Sequence, residues 1–358
     1  MKKLALSDEI LLTVQQPARY IGGEVNCVMK NPSLVDIRFA MCFPDVYEIG
    51  MSHLGIQILY DMFNKREDMW CERVYSPWPD LHKIMKEEHI PLFGLESQEP
   101  IKNLDFIGFT LNYEMCYTNV LQILDLGQIP LLAKDRTEDD PLVIGGGCCT
   151  YNPEPMADFF DLFYMGEGEI SFYELFDLYK KMRAEGRSRH EFLHEASKVP
   201  GIYVPSLYEV TYKEDGTIAS FEPIYEDVPK TIQKQIVLNM TEAVYPEKPV
   251  VPFIKATQDR VVLEIQRGCI RGCRFCQAGM VYRPVREKNV EHLKELAYKM
   301  LKSTGHEEIS LSSLSSSDYS HLKEIVNISG KDEKTLAARL EEHRPVSYTH
   351  LTLPTILR

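Results

Sequence analysis

No stretch of this 358-residue chain approaches the roughly 18 consecutive apolar residues that a membrane-spanning helix requires. Its first residues, Met1 to Glu9, hold Lys2 and Lys3 but no apolar core of signal-peptide length, so a secretory leader is not expected. A disulfide framework is missing too. The nine cysteines, at 27, 42, 71, 116, 148, 149, 269, 273 and 276, are odd in number and follow no scaffold spacing. A chain of this length can bury two ordinary cores without staples, so stability does not account for the thiols. These absences predict a soluble protein of the reducing cytoplasm, where thiols stay free or bind metal. Positive charge is also in short supply: 40 basic against 53 acidic side chains give a net charge of -13. That disfavours nonspecific binding to nucleic acid or anionic membrane. Repeats of the solenoid type are absent.

What is present is an alternation of short apolar runs and helix-like stretches from Asp36 to about Glu169, the pattern of a parallel sheet with crossover helices. Strands are predicted at Ile37 to Phe43, Val74 to Tyr75 (weak), Asp105 to Leu111, Pro141 to Ile144 and Leu162 to Met165. Helices are predicted at Ile49 to Asn64, Asp80 to Glu88, Tyr117 to Gly127 and across residues 171 to 200. Two alternating runs flank Glu214-Asp215-Gly216 and predict a hairpin. Proline-spaced sequence from Pro223 to Pro252 reads as a connector, and a further strand, Arg260 to Gln266, leads into Cys269, Cys273 and Cys276.

Cysteines spaced Cys-x3-Cys-x2-Cys where a strand gives way to a loop can place three thiolates on three corners of a 4Fe-4S cube, leaving one iron without a protein ligand. The competing reading is structural zinc, which needs a fourth Cys or His ligand. His292 and His306 are the nearby candidates, and neither falls at a zinc-finger spacing. Arg267, Arg271, Arg274, Arg283, Arg286 and Lys288 surround the trio with Glu287 as the one acid. They read either as a solvated face or as an offset to a negative cluster.

With its aromatic residue Phe275 just before the third cysteine, this segment resembles the radical S-adenosylmethionine (SAM) superfamily. The resemblance implies a 4Fe-4S cluster on the three cysteines whose open iron chelates SAM, and reductive cleavage to a 5'-deoxyadenosyl radical. It also implies an electron donor such as flavodoxin or ferredoxin. Phe275 would lie against the adenine, and Gly268 and Gly272 would permit the tight loop. Glu308 to Leu311 reads as the second strand of a partial (β/α) barrel. Ser312 to Asp318 (SSLSSSD) stands where the superfamily supplies groups for the amino end of SAM. Hydroxyls replace the usual Gly-Gly-Glu, making Ser312, Ser313 and Ser315 the candidate contacts.

The N-terminal sheet is in turn similar to the cobalamin-binding domains that precede many radical SAM barrels. The phrases PDVYEIGMSHLG, GGGCCTYNPEPMADFFD, RGCIRGCRFCQAG and SLSSSDYS together resemble a bacterial family of such proteins whose reaction is unsettled. The candidate cobalamin contacts are Asp45, Tyr47, Gly50, Gly145, Gly146, Gly147 and Thr150, and Gly166 to Glu169 follows the last strand. Glycines at the carboxyl ends of parallel strands let a cofactor approach the backbone. Tyr47 stands where a cobalt-ligating histidine would, and nearby His53 reads as an ordinary partly buried side chain. Either cobalamin is held without a histidine or the domain has lost it.

The expected fold is therefore α/β: a Rossmann-like domain over 1–200, a hairpin and linker over 201–254, and the start of a radical SAM barrel over 255–326. A barrel needs about six strand-helix units, and Val346 to Ile356 (VSYTHLTLPTI) resembles translated sequencing adapter. The chain is accordingly expected to be an inactive fragment, with 327–358 unassigned and 346–358 artefactual. The functions in view are a cobalamin-associated radical SAM enzyme of unknown substrate, a corrinoid-binding module, and a methyl- or methylthiotransferase-like modifier of transfer RNA. The arginine cluster would suit the last, and the net charge does not favour it.

Overall fold

The computed structural model describes residues 4–326 and the backbone of a strand at Arg339–Glu342. The chain divides into two units, Met1–Ile236 with Pro252–Ala256, and Val237–Val251 with Thr257–Arg358. The first holds six strands: β1 (Ile37–Phe43), β2 (Met69–Tyr75), β3 (Phe106–Thr110), β4 (Leu142–Gly146), β5 (Leu162–Tyr164) and β6 (Ile202–Tyr203). Their spatial order is β2-β1-β3-β4-β5-β6, with β1 to β5 parallel and β6 antiparallel to β5. The order reverses between β1 and β3, the switch point at which open α/β sheets hold ligands.

Continuous apolar runs make these strands because both faces are covered. Around them lie α1 (Asp8–Thr13), α2 (Tyr47–Gly50), α3 (Leu54–Asn64), α4 (Pro79–Glu88), α5 (Tyr117–Leu126), α6 (Phe172–Ala184) and α7 (Arg189–Ala196). Phe39 and Phe106, opposite each other in the register, meet Phe63 of α3 and Phe176 of α6 with ring centroids 5.0 to 6.0 Å apart. The next residues along, Ala40 and Ile107, project to the other face by the period of two and share a core with Val120, Ile123 and Leu124 of α5.

Two predicted elements change. The single helix expected over Ile49 to Asn64 is interrupted at residues 51–53, where His53 turns extended and caps α3, its Nδ1 accepting from Ile56 N–H at 3.2 Å. The weak strand at Val74–Tyr75 is the end of a seven-residue strand, β2, buried throughout. Its charges hid it. Glu72 pairs with Arg38 (2.5 Å), and Arg73 lies between Glu24 (2.7 Å) and Glu96 (2.6 Å). Beside β2 runs the N-terminal arm. Lys30 donates to the carbonyls of Asn64, Arg66 and Met69, and Tyr47 donates its hydroxyl to Glu24 at 2.9 Å.

The hairpin forms where Asp-Gly predicts it, between β7 (Tyr208–Tyr212) and β8 (Ile218–Pro223). The structure assigns it to the first unit, which continues past residue 200 because β6 belongs to the main sheet.

In the second unit β9 (Val261–Glu264) is followed by β10 (Gln266–Arg267), α8 (Ala278–Val281), β11 (Arg286–Glu287), α9 (Val290–Thr304), β12 (Glu308–Ser312), α10 (Leu322–Val326) and β13 (Arg339–Glu342). Strands β9, β12 and β13 are parallel in the order β13-β12-β9, and β10 pairs antiparallel with β11. The helix α9 buries Leu293, Leu296, Met300 and Leu301 and completes a strand-helix-strand unit. Tyr245 ties residues 237–251 to it: its hydroxyl donates to Val262 O (2.7 Å) and accepts from Glu264 N–H (2.9 Å). The expectation for residues 346–358, and that for 327–358 apart from the β13 backbone, falls outside the described residues.

Candidate cluster and cofactor sites

Cys269, Cys273 and Cys276 sit on one loop between β10 and α8, none of them in a disulfide. Cys269 is buried, the other two are partly exposed, and Cys276 N–H donates to Cys273 O at 3.1 Å, turning the chain between them. Gly268 has φ +88°, and a Cβ there would meet Tyr282 O at 2.8 Å and Pro284 O at 2.7 Å, so only glycine fits where the loop passes the next segment. Phe275 is 70% exposed, and Ile270 and Met280 are exposed beside it. Among the described residues no three His, Cys, Asp or Glu side chains are placed to hold a single metal ion. His292 and His306 form no such group with the trio among the described residues. A cube asks for a different arrangement, since each thiolate binds its own iron, and three thiols on an open loop suit it.

The turn after β12 is joined to this loop. Gln266 Nε2 donates to Ser315 O at 2.8 Å, and Arg271 pairs with Asp318 through two bonds, one of 2.7 Å. Ser315 donates to the same carboxylate at 2.6 Å, and Ser313 shares a 3.0 Å bond with Ser316. Ser312 ends β12 opposite Glu264. The serine turn and the cysteine loop are therefore brought together. Sequence reasoning missed three residues that join them, Gln266, Arg271 and Asp318. Arg271 was visible only as one of a basic group, and Asp318 as the one acid of the serine run. The basic group itself is dispersed: Arg267 bonds Glu264 (2.9 Å), Arg286 donates to Val237 O (2.7 Å), and Lys288 is buried, 3.9 Å from the centre of the Tyr245 ring.

At the carboxyl edge of the N-terminal sheet the candidates divide. Asp45 accepts from Val46 N–H (2.7 Å) and from the Tyr113 hydroxyl across the switch point. Asn119 reaches Pro44 O (2.9 Å) there. Gly146 has room beside it, and Gly147, at φ +102°, would drive a Cβ to 2.6 Å from Leu111 O. The rest are accounted for by packing. A Cβ on Gly50 would strike the Tyr75 ring and one on Gly145 the Phe163 ring. Thr150 is fully buried, donating to Gly147 O and Tyr164 O, and Tyr47 is turned into the Glu24 network. His53 is held on both nitrogens, by Ile56 N–H and, at 2.7 Å, by the Asn112 amide. Burial pushes the neighbouring Cys149 thiol up to about 12, so it stays protonated. Exposed Ile49, Tyr113, Met115, Tyr151 and Ile170 follow β1, β3, β4 and β5 and give this edge an apolar rim.

The second unit is thus an α/β strand-helix-strand unit that opens on a three-cysteine loop. The chain carries radical SAM domains: residues 263–356 match the family model of the radical SAM superfamily, and residues 55–205 match that of the N-terminal domain of radical SAM proteins. It is 28% identical over 291 residues to an uncharacterized protein of Methanocaldococcus jannaschii, covering 80% of this chain and 51% of the relative. To an uncharacterized methyltransferase of Pyrococcus horikoshii it is 24% identical over 184 residues, 50% of this chain and 32% of that one. It therefore spans about half the length of the first and a third of the second. Solved structures of the radical SAM methyltransferase TsrM from Kitasatospora setae align as well. One holds tryptophan and a SAM analogue (TM-score 0.44, 11% identity, 82% of this chain and 50% of that one). Another holds cobalamin and a [4Fe-4S] cluster (0.44, 12%, 81% and 50%). No described helix is long and apolar enough to cross a membrane.

Proposed function

We propose that this chain is the N-terminal part of a cobalamin-associated radical SAM enzyme, with its cluster on Cys269, Cys273 and Cys276. The observation that carries this is the three cysteines on one loop, none in a disulfide, tied by Arg271–Asp318 and Gln266–Ser315 to the serine turn. When bound, such a cluster supplies an electron that breaks a carbon–sulfur bond of SAM. The residues hold and orient. Gly268 lets the loop pass close to residues 282–285, Phe275 offers an exposed ring for the adenine, and the two bridges fix the serine hydroxyls relative to the thiols. A low-potential donor such as flavodoxin or ferredoxin belongs to this reading. Cobalamin is assigned to the apolar rim of the N-terminal sheet, held without a histidine, since both His53 nitrogens are engaged and Tyr47 is buried.

Anaerobic reconstitution of the chain with iron and sulfide should give a 4Fe-4S cluster whose spectrum changes on adding SAM, and Cys273→Ala should abolish it. In the same preparation, dialysed hydroxocobalamin should be retained without nitrogen coupling from a protein histidine in its resonance spectrum. Stoichiometric zinc with no iron uptake would sink the cluster assignment, and failure to retain any corrinoid would remove cobalamin from it.

A further inference from the structure

The serine turn contains one carboxylate, Asp318, and it is already committed. Arg271 holds it through two bonds and Ser315 through a third. The Ser313 hydroxyl is engaged as well, with Ser316 and with Ser315 N–H. A cationic ligand entering this turn would find its obvious acceptors occupied. One acceptor beside it is not. Gln266 is 2% exposed, and while its Nε2 donates to Ser315 O, its Oε1 is buried with no hydrogen-bond partner among the described residues. An unmet buried acceptor is costly, and native proteins keep few without a reason. Two residues upstream, Glu264 also has a buried oxygen, Oε2, with no partner among the described residues, while its Oε1 accepts from Arg267 Nε at 2.9 Å. An unmet buried amide oxygen, on the strand that leads into the Cys269 loop and tied to the serine turn, suits a donor that carries positive charge and several N–H bonds.

We infer that Gln266 is a positioning residue that accepts a hydrogen bond from the α-ammonium group of SAM through Oε1. The assignment rests on SAM being the ligand of this loop. It replaces the free carboxylate of the turn, which Arg271 has taken, with an amide whose other end is fixed to the turn itself. Because Nε2 is anchored on Ser315 O, the amide cannot rotate freely, and its oxygen is aimed before the ligand arrives.

The test uses the full chain, reconstituted anaerobically with iron and sulfide and titrated with SAM and with an analogue lacking the α-amino group, following the cluster spectrum. Wild-type protein should bind SAM about tenfold or more tightly than the analogue, the scale of one hydrogen bond to a charged group. Gln266→Met should load the same iron and bind both ligands as weakly as wild type binds the analogue. Equal affinity of wild type for the two ligands overturns the inference whether or not the variant folds. A Gln266→Met protein that keeps the wild-type preference overturns it too, leaving Oε1 to a buried water. A wild-type protein that takes up a cluster but shows no response to SAM defeats the SAM reading itself and the inference with it. The first two outcomes retain that response, so the failures are distinct.

Discussion

Arg73 is the residue on which the edge of the N-terminal sheet depends. Its guanidinium is buried on β2 between the carboxylates of Glu24 and Glu96, which in turn accept from the hydroxyls of Tyr47 and Tyr60 at 2.9 Å each. Two carboxylates share one cation. Burial pushes Glu24 up, but the charge and bonds of Arg73 outweigh it and hold the group below the usual carboxylate range, while burial keeps Glu96 above it. Of the pair, Glu96 takes the first proton as pH falls. Buried pairs of this kind give little net stability, yet breaking one leaves an uncompensated charge. Arg73→Met should therefore lower unfolding stability by about 3–5 kcal/mol in urea titrations. The triple variant Arg73→Met, Glu24→Gln, Glu96→Gln should recover most of that loss. A single variant as stable as wild type would mean that the network is solvated.

At the scale of an element, the break between α2 and α3 depends on one side chain. Burial lowers the His53 pKa to about 4, and its neutral ring caps α3 by accepting from Ile56 N–H. The unfolded chain takes up this proton near its ordinary value of about 6.5. Unfolding therefore binds a proton between pH 6.5 and 4: the stabilising contribution is whole above 6.5 and is lost as pH falls through that window. At about 1.4 kcal/mol per pH unit the slope could remove no more than about 3 kcal/mol, less for the ring's partial exposure. Asparagine is a good cap without a titrating proton. His53→Asn should flatten the stability profile between pH 6.5 and 4 and cost little at pH 8, as thermal midpoints across that range would show. An unchanged slope would assign the acid sensitivity elsewhere.

The same element shows how far the sequence was legible. The strands β1, β3, β4 and β5 announced themselves because burial on both faces demands apolar runs, and the cysteine loop because its spacing is chemically restrictive. The α2–α3 break did not, since histidine is a rare cap and an amphipathic pattern continues across it. Most of β2 was hidden for the opposite reason: Glu72 and Arg73 look like a surface, and only their partners Arg38, Glu24 and Glu96, distant in sequence, make them a core. Gln266 was unreadable for a third reason. Its significance lies in an atom without a partner, which no pattern of residue types records.

At the scale of the whole molecule, the extent of the first unit has a direct consequence. A boundary at residue 200 looked natural because the helices end there, but β6 then closes the sheet against β5, with Ile202, Tyr203, Val204 and Leu207 almost fully buried. Tyr203 stacks on Phe163 at 6.2 Å and donates to Glu154 at 2.5 Å. Further on, Gln235 completes the edge beside Gly166: its N–H donates to Met165 O (3.0 Å) and its carbonyl accepts from Glu167 N–H (2.9 Å). Removing four buried apolar side chains forfeits on the order of 6–12 kcal/mol at about 1.5–3 kcal/mol each. That is comparable with the whole stability of an ordinary domain, about 5–15 kcal/mol. It also bares the β5 edge to intermolecular pairing. A fragment Met1 to Ile236 should therefore be soluble and unfold in one cooperative transition in urea. A fragment Met1 to Pro200 should aggregate or melt without a transition. Equal midpoints for the two would show that β6 and the segment through Gln235 are dispensable to the sheet they close.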